Sequence, residues 1–389
     1  MDNLKRFGQI LNTENLDGFL VSNPTNIFYL TGFKGLLSQD REAYLVCSPI
    51  RRKASLITAR LYQQEASEIK SKYLNVAITK ERNEMLKLVS KLIVKCKKVG
   101  SPTEASAQVG FEENDLKYGE HKELSLGSDP REGPTLIPTK NLVENLRIIK
   151  TEDEINKIEK AQIISQKAFK HILKTIKVGQ TEEEIADNLA KIIKSLGGEG
   201  LSFESIIASG PNSGKPHHKT GNRQLAINDI LLLDFGAKFQ NYHADLSRTI
   251  FIGKARNPQI NIYNHVKKAQ KQATTKIRHG VKLSEAYHSA NNHFKKYKLE
   301  KYFLHGLGHG IGLEIHEEPY LRPRYTQPRL GIARQAGVVD LLLNNMVFSV
   351  EPGLYFPWGG VRIEDLVVIK NGKAKVLGKT VDEIIEIVV

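Results

Sequence analysis

Leu4, Phe7, Ile10 and Leu11 recur at three- and four-residue spacing, which predicts an opening helix with one apolar face. The apolar run from Gly18 to Val21 is too short for a helix and reads as a buried strand. Ala43 to Cys47 and Ser55 to Thr58 read as further strands, alternating with helical segments around 60–71 and 83–95. That alternation predicts an α/β domain. Gly and Pro then cluster from Gly127 to Pro138, which suggests a first domain over 1–130, a connector over 131–141 and a second domain over 142–389.

The second domain opens on two capping-box patterns, Thr151 with Glu154 and Thr181 with Glu184. Ile155, Ile158, Ala161, Ala168 and Ile172 keep helical spacing behind the first, and Ile185, Leu189, Ile192 and Ile193 behind the second. Two such starts hint at a duplicated unit, without a strong internal sequence repeat to match. Strands are expected at Ser202 to Ala208 and at Ile230 to Phe235.

The second of these strands ends in an acid, Asp234. A carboxylate closing a buried strand must be paired, hydrogen-bonded or on a metal. Asp245 follows at a distance that a hairpin would close, so that the two acids meet, and Glu351 and Glu364 sit on strand-like segments downstream. Between these pairs runs His305 to His316, with three histidines and with glycine at 306, 308, 310 and 312. Glycine at every second position lets backbone approach a neighbour closely, so the run reads as a strand built to present imidazoles. Four carboxylates with one histidine suit Mn, Co or Zn, and five ligands exceed one catalytic zinc but fit a bridged pair. The predicted chemistry is two-metal hydrolysis.

Net charge and cysteine usage narrow the setting. A formal charge of +14 would permit nucleic-acid binding, yet the lysines are scattered and no basic stripe with interleaved aromatics supports it. Two cysteines provide neither a disulfide framework nor a metal cluster, and no apolar run reaches membrane-spanning length. The expectation is a cytoplasmic protein with no nucleic-acid or membrane partner.

Taken together, Leu233 to Ala237, His243 to Thr249, His305 to His316, Val350 to Tyr355 and Gly360 to Asp365 resemble, in order, the metallopeptidases of the methionine aminopeptidase, prolidase and aminopeptidase P group. Their fold is called pita bread. The likeness covers about 142–389, and the first domain is similar to the creatinase-type domain of prolidases, chiefly through Asn26 to Phe33. The resemblance implies α/β architecture followed by an α+β catalytic domain. It implies that Asp234 chelates one metal, that Asp245 and Glu364 bridge two, and that His309 and Glu351 complete the other, with Mn expected and Co or Zn as alternatives. It also implies Glu351 as proton shuttle, His316 and His217 as further catalytic histidines, and His305 in a proline pocket. Arg362, placed with the substrate contacts, is expected to hold a carboxylate from the same strand face as Glu364. Tyr355 and Phe203 are candidate pocket walls, though core residues by default.

The implied activity is cleavage of Xaa-Pro bonds at the N-terminus of short peptides, as in aminopeptidase P, by a homodimer. Prolidase action is the alternative, and a non-catalytic peptide-binding module is the reading from another class. Several prolidases carry an arginine where this chain has Tyr320, which tilts the expectation toward aminopeptidase P. A longer-than-usual segment between His316 and Glu351 contains Arg322, Arg324, Arg329 and Arg334, an expected anchor for a substrate carboxylate.

Overall fold

A computed structural model describes residues 3–34, 41–49, 53–96, 106–126, 134–323, 340–379 and 383–388. The chain divides into two compact units, one running to Leu146 and the other beginning at Arg147.

In the first unit, helix α1 (Asn3–Thr13) buries Leu4, Phe7, Ile10 and Leu11, the face its spacing predicts. Strands β1 (Gly18–Val21), β2 (Ala43–Cys47), β3 (Ala54–Ala59), β4 (Leu74–Thr79), β5 (Gln108–Glu112) and β6 (Thr135–Thr139) form one mixed sheet in the order β4-β3-β2-β1-β5-β6. Helices α2 (Pro24–Thr31), α3 (Gln63–Glu68), α4 (Asn83–Val94) and α5 (Tyr118–Leu126) connect them. Met85, Val89 and Ile93 of α4 pack on Leu20, Tyr44, Val46 and Ile57 of the sheet. The stretch expected as a connector thus contains β6, which pairs with β5 alone; an edge strand tolerates Pro138, because its missing N–H has no ladder partner to satisfy.

Asn26 explains why the stretch beginning there is distinctive. Its side-chain amide donates to Glu112 Oε1 at 2.6 Å and to Glu144 Oε1 at 2.7 Å. Glu112 also accepts the N–H groups of Ser22 and Asn23, at 2.7 and 2.6 Å, where α2 begins. Burial, with the charge of Glu144 added, pushes the Glu112 carboxyl up to about 8, and the surrounding donors restrain the rise. One amide therefore separates buried Glu112 from half-buried Glu144.

A single turn, α6 (Glu144–Arg147), precedes the second unit, whose first helices are α7 (Glu152–Ile172) and α8 (Glu182–Ser195). Both capping boxes form: Glu154 N donates to Thr151 Oγ1 at 3.3 Å and Thr151 N to Glu154 at 2.7 Å, with the same exchange between Thr181 and Glu184. β7 (Gly200–Leu201) is followed by β8 (Ile206–Ser209), β9 (Ile230–Phe235), β10 (Ala237–Phe239), β11 (Tyr242–His243) and β12 (Leu246–Ile252). The strand expected over 202–208 is thus broken by bends at Ser202 and Phe203. A second helix pair, α9 (Asn257–Lys276) and α10 (Leu283–Lys296), leads to β13 (Gly308–Gly310), β14 (Glu317–Leu321), β15 (Val347–Val350), β16 (Gly353–Phe356), β17 (Gly359–Arg362), β18 (Asp365–Lys370), β19 (Lys373–Val376) and β20 (Glu386–Ile387).

Two half-structures result. α7 and α8 share a core with β8, β9 and β12, while α9 and α10 share one with β15 and β18. The two capped helix starts therefore belong to one helix pair and do not open successive repeats. β9 is buried on both faces: Leu231, Leu233 and Phe235 join the α7/α8 core, and Ile230 joins the other. Asp234 has the parity of Ile230, so the pleat turns it away from α7 and α8.

Replacing Asn26 by alanine would leave buried Glu112 short of a donor. The expected cost is about 2–3 kcal/mol, read as a lower urea midpoint; an unmoved midpoint would show that the amide is dispensable.

Candidate metal centre

β9 and β12 run antiparallel with Asp234 opposite Ser247, and Asp245 stands just ahead of the first paired residue, Leu246. The hairpin between them turns at Gln240 and Asn241, whose φ values of 47° and 66° match the two left-handed positions of a tight hairpin. β13 supplies His309, the end of β15 leads into Glu351, and Glu364 lies between β17 and β18. All five predicted ligands line one pocket. Ligand atoms of Asp245, His309 and Glu364 lie within 4.8 Å of one another.

Hydrogen bonding shows what that pocket lacks. His309 Nδ1 is 3.0 Å from the carbonyl of Gly310, which makes it the protonated nitrogen. Nε2 then carries the lone pair, yet it faces Glu351 Oε1 at 3.3 Å and Asp245 Oδ2 at 3.6 Å. A lone pair aimed at carboxylate oxygens is repulsive unless a cation lies between them. Among the described residues, buried Oδ1 of Asp234, Oδ1 of Asp245 and Oε1 of Glu364 have no hydrogen-bond partner. Burial, then repulsion from Glu364, Asp234 and Glu351, holds the Asp245 carboxyl well above its usual range; burial and the same kind of crowding raise Glu364. Oxygen-rich donors with one imidazole fit hard or borderline divalent cations. The residues fit the metal pair that the sequence predicts.

The glycine-rich run is not one strand. Only Gly308 to Gly310 extend; the chain bends through 312–316 and returns as β14, with His309 opposite Tyr320. Close approach is nonetheless what glycine permits there: a Cβ on Gly308 would lie 1.9 Å from the carbonyl oxygen of Ser349. Ser349 Oγ accepts the N–H of His309 and donates to Glu351 Oε1, both at 3.0 Å, tying two of the predicted ligands together.

Arg362 reaches Asp234 Oδ2 with one nitrogen, Ser247 Oγ at 2.8 Å, the carbonyl of Pro216 at 3.2 Å and Tyr355 Oη at 2.8 Å. It steadies a predicted ligand, four protein acceptors taking four of its five N–H donors, and it also lines the pocket. Ser247 in turn donates to Glu364 Oε2 at 2.8 Å, and Arg248 pairs with Asp365 at 2.6 Å while bonding the Glu364 carbonyl. Tyr355 is buried, yet its polar end is bonded to residues that line the pocket. Its hydroxyl lies 2.8 Å from His305 Nε2, and because His305 Nδ1 is 2.7 Å from the Gly306 carbonyl, the hydroxyl is the donor. Burial raises the Tyr355 hydroxyl to about 12.

His217 lines the pocket, whereas its neighbour His218 lies 2.7 Å from buried Glu182. His316 also lines it, its ring centroid 4.3 Å from that of His309. Phe203 and Tyr320 complete part of the wall, and the guanidinium of Arg322 stands 4.8 Å over the Tyr320 ring. Arg324, Arg329 and Arg334 lie outside the described residues. Nothing in the sequence marks the roles of Ser247 and Ser349, because a serine near a predicted ligand has no distinguishing pattern.

Residues 156–371 match the description "Metallopeptidase family M24", and residues 3–149 match "Creatinase/Prolidase N-terminal domain". An "Xaa-Pro dipeptidase" of Pyrococcus horikoshii is 31% identical over 389 residues, 99% of each chain. Among solved structures, an "Xaa-Pro dipeptidase" from Bacillus anthracis superposes with a TM-score of 0.86 at 29% identity, covering 99% of both chains. An "X-Pro aminopeptidase" from Thermotoga maritima superposes at 0.81 with 28% identity, covering 99% of this chain and all 100% of the other.

Stripped of divalent cations, Asp245→Asn is expected to melt above the unsubstituted protein, because one of several repelling carboxylates is gone. With Mn²⁺ added the order reverses, since the variant loses a ligand. Calorimetry with and without metal checks this, and the absence of a crossover would count against Asp245 as a ligand.

Proposed function

The chain belongs to metallopeptidase family M24, and on that premise we propose that it is a dinuclear-metal exopeptidase cleaving Xaa-Pro bonds at the N-terminus of short peptides. The observation that carries this reading is the convergence of Asp234, Asp245, His309, Glu351 and Glu364 on one pocket. In this reading these five residues would hold two divalent cations, Mn by preference with Co or Zn as alternatives. Such a pair polarises a carbonyl and brings the pKa of water close to neutrality.

The chain's own residues then handle position and protons. Burial raises the Glu351 carboxyl above its usual range, which suits a group that must take a proton from water and return it. Ser349 fixes one of its oxygens. Water adds to the carbonyl carbon, the C–N bond breaks, and the proton held by Glu351 goes to the departing proline nitrogen. His316 and His217 stand as donors to the oxygen that gains charge. Both nitrogens of His305 are engaged, so the group it turns to the substrate is its ring, an apolar wall for a pyrrolidine. A bond before proline has no N–H, and none of these groups requires one.

Tyr320 favours the aminopeptidase, which accepts peptides beyond two residues. Dipeptidase action is the second reading, favoured by relatives that carry that name and by the Arg322 guanidinium beside Tyr320, a cation suited to a dipeptide's carboxylate. An intact ligand set argues against a non-catalytic peptide-binding module. The expected setting is a homodimer in the cytoplasm; among the described residues no helix is long and apolar enough to cross a membrane.

Metal-stripped protein refilled with Mn, Co or Zn is expected to release the first residue from Xaa-Pro-Xaa, and Glu351→Ala to lose about 10²- to 10⁴-fold. Cleavage of Xaa-Pro alone would select the dipeptidase. No turnover with any metal would remove the enzyme reading in favour of peptide binding.

A further inference from the structure

Residues 312–316, which end in His316, have no regular secondary structure, so something else must set where that imidazole stands. The bend is wrapped around one carboxylate. Glu317 Oε1 accepts the N–H of Glu314 at 3.0 Å and a guanidinium N–H of Arg147, while Oε2 receives Lys150 Nζ at 3.3 Å. The same Arg147 nitrogen donates to Glu314 Oε2 at 2.8 Å. A Cβ on Gly312 would lie 2.8 and 2.9 Å from the two Glu317 oxygens, so the chain passes against that carboxylate as only glycine can. From the other side, the backbone N–H of His243 donates to the Gly312 carbonyl at 2.8 Å.

Stability alone does not account for this cluster. Arg147 is 3% exposed, Lys150 2% and Glu317 8%, and buried ion pairs repay their desolvation only with good geometry. Burial opposes ionisation of Glu317, yet Lys150 and Arg147 outweigh it and hold the carboxyl at about 2, so it stays charged across the working range. What the ionic contacts add over an apolar plug is direction: each fixes a backbone or side-chain atom within the two residues on either side of His316.

We propose that Glu317, clamped by Arg147 and Lys150, is a positioning residue that sets His316 over the substrate. This rests on the peptidase reading of the same pocket. Glu317 touches neither substrate nor ligand in this scheme; it acts through the bend. Misplacing a catalytic group by even an ångström is costly, so loss of the clamp is expected to lower turnover more than substrate affinity.

The test is a double-mutant cycle on the full-length metal-loaded protein. Glu317→Gln keeps the size and removes the charge, and is expected to lower kcat about 10- to 100-fold with KM and metal content nearly unchanged. In a His316→Ala background the same substitution should cost less than about twofold, because its target is gone. Arg147→Lys should recover activity that Arg147→Met loses. Equal losses from Glu317→Gln in both backgrounds overturn the proposal and leave the cluster structural.

A readout independent of turnover separates this from failure of the peptidase reading. With ¹³C-labelled histidine, the ring signal of His316, assigned from its absence in His316→Ala, should shift or broaden in Glu317→Gln while that of His305 stays. An unmoved His316 signal overturns the proposal whether or not any peptide is cleaved; a moved signal in an inactive protein keeps the clamp and sinks the peptidase reading.

Discussion

Buried negative charge is the constraint on which the catalytic unit depends. Asp234, Asp245 and Glu364 are each under a tenth exposed, and Glu351 stands beside them. Carboxylates packed at this density cannot all ionise without cations between them, which is what makes the pocket fit a divalent metal site. Arg362 on Asp234, Ser247 on Glu364 and Ser349 on Glu351 each fix one oxygen of a predicted ligand, while among the described residues the other oxygens of Asp234 and Glu364 are buried without a hydrogen-bond partner.

The architecture follows from that demand. Each predicted ligand lies on or next to a strand of one of two sheets, and each sheet is backed by its own helix pair, so the acids meet on rigid elements. Hydrogen bonds then join the halves of the site: Thr249 Oγ1 and Arg248 of β12 reach the backbone of Arg362 and Glu364. His316 is the exception, since it stands on a bend. There a buried cluster of opposite charges takes the place of strand pairing.

Much of this was legible in the chain. Helical spacing found α1 and α4, two capping boxes marked α7 and α8, and the apolar run of β9 pointed to its terminal acid. The errors share a cause. The stretch around Pro138 reads as a connector because proline and glycine signal breaks, but an edge strand has no use for the missing N–H. The glycine run reads as one strand because alternation is a local signal, while the return of β14 onto β13 is set by contacts with residues far along the chain.

By itself the sequence determined which residue types could form the site, since carboxylates with an imidazole suit hard or borderline divalent cations whatever the fold, and their order along the chain carries a family pattern. Only the tertiary structure decided what each group's second atom does. His309 presents Nε2 because Nδ1 is taken by Gly310, His217 lines the pocket while His218 is taken by Glu182, and buried Tyr355 links His305 to Arg362 through its hydroxyl. Such pairings depend on distances of about 3 Å between residues far apart in the chain, and no local pattern of side chains encodes them.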